Sequence, residues 1–356
     1  MKSIRIFVPV LLGLMVCSLL LGCGSVTGGG GGGGGTAGSP WIYVANSGDK
    51  DVSYINGITN TEEGKIAMPR GDVPWAIAPS YDGKKIYCLT NSTEVVEIDT
   101  TTNTTTDIIP ISEHAYRGLI VSNDNNCLYV LGNSQHLIKV YLTSTPRTSE
   151  TIANLSAVPA CVRSNADFSK LFITCDMGSN LDTVTISDNN LTSYSIGGMP
   201  AQSFDLDIKD DHAYFTVGGS VNDTRIFDMN ALTFDTDIDS FASGQVKSII
   251  NIPGTNKLYG SECGSTGALW ILNTAAPGGP TYETTTITTI DASFKYPGRM
   301  CATADGKYVY VHTFVDTATK VKLAIVDTAT DTIVGYAEVG TSESNYLENN
   351  PVVIYK

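Results

Sequence analysis

Short apolar runs recur along the chain, divided by polar stretches rich in Asp, Asn, Gly, Ser and Thr. Seven of them share one form: Trp41-Ile-Tyr-Val-Ala-Asn46, Lys85-Ile-Tyr-Cys-Leu-Thr-Asn91, Cys127-Leu-Tyr-Val-Leu-Gly-Asn133, Lys170-Leu-Phe-Ile-Thr-Cys-Asp176, His212-Ala-Tyr-Phe-Thr-Val217, Lys257-Leu-Tyr-Gly-Ser-Glu262 and Lys307-Tyr-Val-Tyr-Val-His312. Measured between the aromatics Tyr43, Tyr87, Tyr129, Phe172, Tyr214, Tyr259 and Tyr310, the steps are 44, 42, 43, 42, 45 and 51 residues. Runs this short are strands, and a period of about 40 to 45 residues is that of a four-stranded unit repeated around a ring.

The grammar inside each unit supports strands over helices. An aspartate stands five residues before the aromatic in four units (Asp82, Asp124, Asp167 and Asp305), and Gly83 and Gly306 follow two of them. Asp-Gly between apolar runs predicts a hairpin, since both residues tolerate positive φ. Upstream lies a further short strand, often opened by proline as in Pro74-Trp-Ala-Ile-Ala78, Pro159-Ala-Cys-Val162 and Pro297-Gly-Arg-Met-Cys301, a position where proline forfeits no ladder bond. Downstream, Val95-Val-Glu-Ile-Asp-Thr100 leads through a threonine-rich tip to Thr106-Asp-Ile-Ile-Pro-Ile111, and Leu323-Ala-Ile-Val-Asp-Thr328 leads likewise to Thr332-Ile-Val-Gly-Tyr336.

The fold class predicted is therefore all-β: a seven-bladed β-propeller of four-stranded antiparallel blades spanning 41–356. The first unit lacks a strand before Trp41, while Pro351-Val-Val-Ile-Tyr-Lys356 is left over after the seventh. The carboxyl-terminal segment is expected to supply the innermost strand of blade 1, closing the ring without an open edge.

Residues 1–22 read as a signal peptide, with Lys2 and Arg5 ahead of an apolar run. That run ends in Leu20-Leu21-Gly22-Cys23, which resembles a bacterial lipobox and makes Cys23 the expected lipidation site; Cys17, after Val16, fits the pattern less well. An ordinary secretory leader or an uncleaved membrane helix is the alternative. Residues 23–40 include eight consecutive glycines, Gly28 to Gly35, and form a flexible tether. Gly24 rather than Asp after the cysteine implies, by the lipoprotein sorting rule, an outer-membrane location, facing the periplasm or the cell surface.

Charge narrows the partners. Of 22 Lys and Arg two lie in the leader, so 20 remain against 36 acidic residues, a balance near -16 that disfavours nucleic acid and anionic lipid. Contact with the membrane is expected through the amino-terminal lipid only.

The Asp-Gly-Lys turns at 82–84 and 305–307, the aromatic segments ending in Asn, and the stretches Ile98-Asp-Thr-Thr-Thr-Asn103 and Val326-Asp-Thr-Ala-Thr-Asp331 resemble the YVTN-type β-propellers. The resemblance runs from Trp41 to the end and implies a seven-bladed propeller outside the cytoplasm. That family shares no catalytic set, so it carries fold further than function.

Chemistry is sparse at the level of motifs. No Cys-x-x-Cys, nucleotide loop, nucleophile elbow or zinc-protease helix is present, and His114, His136, His212 and His312 share no spacing; neither a metal nor a cofactor is predicted. Cys161 and Cys175 flank a turn centred near Phe168 and are a candidate cross-strand disulfide, the alternative being buried free thiols. Cys88, Cys127, Cys263 and Cys301 are expected to be packing residues. Arg117, Arg163, Lys247 and Arg299 lie at or within strands placed innermost, so a basic channel mouth is a candidate site; otherwise they pair with local carboxylates. Two functions follow: a scaffold that binds a protein or glycan partner, or an enzyme or enzyme subunit with a site at the central channel, of lactonase-like hydrolase or quinoprotein-dehydrogenase type.

Overall fold

The computed structural model describes residues 41–115, 117–176, 178–196, 205–218, 223–235, 245–263, 268–274, 284–287, 297–314, 320–341 and 353–355. The leader, Cys23 and the glycine tether lie outside the described residues. Within them, no helix is long and apolar enough to cross a membrane.

Seven four-stranded antiparallel sheets form the ring. Blade 2 shows the plan: Pro74–Pro79 innermost, then Lys85–Thr90, Glu94–Asp99 and Thr104–Pro110 outward, each paired with the next. Blade 1 is the exception that closes the ring. Its inner strand is Val353–Tyr355, antiparallel to Trp41–Asn46 with Val353 opposite Val44, as the leftover carboxyl-terminal segment predicts.

Burial explains why the recurring runs carry apolar residues on both faces. Successive side chains on a strand point to opposite faces of its sheet, and in a ring each face packs on a neighbouring blade. Tyr43 and Ala45 pack with Ile77, Ile86 and Cys88 of blade 2. Ile42 and Val44, on the other face, pack with Tyr310, Val311 and Leu323 of blade 7. The same division recurs between blades 2 and 3, 3 and 4, 4 and 5, and 5 and 6. All seven aromatics that mark the repeat are buried.

The turn between the first two strands differs in detail from a two-residue Asp-Gly hairpin. Only the residue after the aspartate takes positive φ: Gly83 (68°), Asn125 (59°), Phe168 (57°) and Gly306 (68°). The aspartate acts through its carboxylate instead. Asp82 Oδ1 accepts from the Ser80 hydroxyl at 2.7 Å and the Lys84 N–H at 3.1 Å, and Asp124 and Asp305 repeat the arrangement. This is a longer turn with a single left-handed residue, which accommodates Asn and even Phe. Phe168 is held there because its ring packs 5.9 Å from that of Tyr129. At Gly306 a side chain is excluded twice, by its φ and because a Cβ would lie 2.0 Å from the Pro253 carbonyl oxygen of blade 6.

Candidate functional site

The inner strands bring charged side chains from several blades into the central channel. Arg163 lies on the inner strand of blade 4 (Val158–Ser164), and Asp207 on that of blade 5 (Leu206–Lys209), with Asp205 just before it. Arg299 immediately precedes the inner strand of blade 7 (Met300–Ala302), and Arg117 stands just before that of blade 3 (Leu119–Val121). Residues two apart on a strand share a face, which is why Asp205 with Asp207, and Cys161 with Arg163, act together.

Asp205 is the hub. Its Oδ1 lies 2.5 Å from Arg299 Nη1 and 3.4 Å from Arg163 Nη2, and accepts from the Cys161 thiol at 3.1 Å. Its Oδ2 accepts from the Ser248 hydroxyl at 2.6 Å and the Ile249 N–H at 3.2 Å, both of blade 6. Burial alone would raise this carboxyl, but the Arg299 and Arg163 guanidiniums and the Ser248 hydroxyl outweigh it and hold it below the ordinary range. One carboxylate thus ties together blades 4, 5, 6 and 7.

Asp207 sits in the opposite regime. Burial pushes it up to about 7, offset only in part by Arg163, whose Nε is 3.8 Å away, and by the N–H groups of Asn251 at 2.5 Å and Ile208 at 2.9 Å. Two aspartates on one strand face are therefore driven apart in acidity by their partners.

A cavity of about 30 Å³ opens beside this cluster. Arg117, Arg163, Arg299, Asp205 and Cys161 line it together with Ala76, Leu119 and Met300. A water molecule needs roughly 10–15 Å³ of such space, so the cavity holds about two.

Each residue singled out from the sequence can now be placed. Arg117, Arg163 and Arg299 converge on the cavity, but as members of ion pairs rather than a free basic mouth; Arg117 Nη1 is 2.7 Å from Asp176 Oδ2. Lys247 is buried on the inner strand of blade 6 and does not line the cavity. Cys161 and Cys175 are free thiols, contrary to the candidate disulfide. A register shift between Pro159 and Cys161 sets Cys161 opposite Thr174 and Cys175 opposite Pro159. The two thiols consequently lie on opposite faces of blade 4, Cys161 packed toward blade 5 and Cys175 toward blade 3. Cys88 and Cys301 are buried between blades as expected; the Cys263 side chain lies outside the described residues.

The histidines differ in setting. His312 is fully buried in blade 7, where burial lowers it to about 3 and keeps it neutral. His136 Nδ1 is 3.0 Å from Glu113. His212, Asp228 and Asp235 place one donor atom each within 4.8 Å of one another. There the strand register sets His212 opposite Asp228, and Asp228 Oδ1 already accepts from two turn N–H groups at 2.8 Å. Sequence spacing alone does not reveal that juxtaposition.

No family model and no curated protein matches the chain. Solved structures do, at the level of fold. A chain of Kuenenia stuttgartiensis hydrazine synthase aligns with a TM-score of 0.65 at 15% identity, over 80% of this chain and 95% of that one. A chain of the mitotic checkpoint complex aligns with a TM-score of 0.65 at 13% identity, over 76% of this chain and 80% of that one. Dihydro-heme d1 dehydrogenase NirN aligns with a TM-score of 0.56 at 12% identity, over 87% and 74%. The protein is a seven-bladed β-propeller. At these identities the likeness carries the fold alone, two enzymes and one assembly component among these neighbours notwithstanding.

Proposed function

We propose that the protein is a lipid-anchored propeller of the bacterial cell envelope, of the YVTN type, that serves as a rigid scaffold and presents its loop faces to a protein or glycan partner. The observation that carries this reading is the state of the channel. Its arginines are engaged with Asp176, Asp205 and Asp207, and the cavity beside them has room for about two waters, far below the roughly 300 Å³ of an ordinary small-molecule site. Among the described residues this leaves the loop rims as the surface for recognition in this reading. The leader ending at Cys23 and the glycine run after it support the anchor and the spacer.

Chemistry at the channel has one observation in its favour. Asp207 titrates near neutrality beside Arg163, and perturbed carboxyls of that kind cluster at functional sites. The cavity would restrict such chemistry to a water-sized reactant.

Two measurements on the full chain in a bacterial host test the scaffold. Metabolic labelling with a radioactive fatty acid should mark the wild type and leave Cys23→Ala unlabelled; equal labelling of both would remove the anchor from the account. Cross-linking in intact cells should trap a discrete heteromeric complex. A protein recovered only as uncross-linked monomer would overturn the scaffold reading.

A further inference from the structure

The wall of the channel cavity carries unequal charge. Three arginines line it, Arg117, Arg163 and Arg299, against one acidic residue, Asp205. The other carboxylates that pair with these arginines, Asp176 and Asp207, are not among the lining residues. Among the described residues the buried Arg163 Nε makes no hydrogen bond, its approach to Asp207 being 3.8 Å. Counted with their partners, three guanidiniums stand against three carboxylates, and burial pushes one of these, Asp207, up to about 7. With Asp207 protonated the cluster carries one positive charge in excess, which a facing anion would offset. Guanidinium donors converging from separate blades are suited to that task, since each presents five N–H groups in one plane.

We propose that this cavity is a binding site for a small monovalent anion, a halide or a single carboxylate group, held by Arg117, Arg163 and Arg299. The size follows from room for about two waters, which suits a halide or one carboxylate group. The sign follows from the wall and not from the protein as a whole, whose formal charge of -14 repels anions. The site stands whether or not the partner-binding reading holds, because it rests only on the inner strands.

Asp207 tunes the site. It faces Arg163 of blade 4, Asp205 on its own strand and the Asn251 N–H of blade 6. Once ionised it claims more of the Arg163 charge, so anion affinity falls as pH rises through about 7.

The test uses the full chain in detergent. At constant ionic strength, bromide or formate exchanged for a bulky organic anion should raise the unfolding midpoint along a saturating curve, distinct from the gradual, non-saturating rise that an excluded salt such as sulfate gives. Arg117→Gln should weaken the fitted bromide affinity by roughly tenfold or more, the effect of losing one charge-assisted donor. Crystals of the wild type grown in bromide should show an anomalous peak between the three arginines. No peak there would overturn the proposal even if Arg117→Gln failed to fold. A midpoint that follows ionic strength alone, equally for all anions, would also overturn it.

Discussion

Asp205 and Asp207 are two residues apart on one strand face, yet their substitution should have opposite consequences. Asp205 is held ionised by Arg299 and Arg163, and its depressed acidity means that the stability it contributes is present above the ordinary aspartate range and is lost as pH falls through its lowered folded value. Asp205→Asn leaves two buried guanidiniums without their shared partner and should cost about 3–5 kcal/mol at pH 7, measured by urea unfolding. Asp207 is raised by burial, so the protonated form suits the fold. The stability tied to it is complete below the ordinary value of 3.8 and is lost as pH rises through about 7. Asp207→Asn imitates the protonated carboxyl. It should be close to wild type near pH 4 and relatively more stable above pH 7; equal pH profiles for the two proteins would refute this account of the pair. The sequence announced the arginines, which stand out on strands otherwise apolar. Their partners were missed, because Ser203-Phe-Asp-Leu-Asp-Ile-Lys209 alternates polar and apolar residues like a strand with one wet face. The signal available was that an innermost strand has no wet face, so aspartates at alternate positions there require cationic partners.

At the scale of the strand and turn, the repeat's tyrosine does more than fill space. Tyr43 donates to Asn103 Oδ1 in the outer turn of blade 2 at 2.7 Å, Tyr310 to Asn60 in the outer turn of blade 1 at 3.3 Å, and Tyr259 to Asp331 in that of blade 7. Each receiving residue has positive φ (Asn103 54°, Asn60 57°, Asp331 54°). The turns are themselves locked by Asn56, Asp99 and Asp327, whose Oδ1 atoms each accept two N–H groups. A hydroxyl thus fastens one blade to a preformed turn on the next. Tyr43→Phe keeps the ring and removes the fastening, and should cost about 0.5–1.5 kcal/mol. Combined with Asn103→Ala, the loss should be less than the sum of the two single losses. Full additivity in urea unfolding would show that the contact contributes nothing. The spacing of the aromatics was legible in the chain, as was the strand grammar around them. Why tyrosine should outnumber phenylalanine was not, since its acceptor lies in another repeat and no periodicity within one unit points to it.

For the whole molecule, closure is the decisive device. A ring of sheets packed face to face gains stability at every blade interface, but only if the first and last blades are joined. Here the join is covalent continuity on one side and three register pairs on the other, Ile42 with Tyr355, Tyr43 with Ile354 and Val44 with Val353. The inner strand of blade 1 also touches the inner strands of blades 2 and 7, so its removal loosens two interfaces as well as one sheet. Deleting residues 353–356 would leave Trp41–Asn46 as an unpaired edge whose side chains are almost wholly buried in the closed ring. Such an edge is a template for pairing with another chain. The truncated protein should unfold on the order of 5 °C lower and should elute as concentration-dependent oligomers in size-exclusion chromatography, while Tyr43→Phe remains monomeric. A truncated protein that stays monomeric with an unchanged midpoint would mean that covalent continuity and face packing alone hold the ring. The join was foreseeable from counting strands, since seven units of four leave one strand missing at the start and one in surplus at the end. The ion cluster inside the ring was not countable in that way, because its members come from blades 3 to 7 and meet only once the circle is drawn.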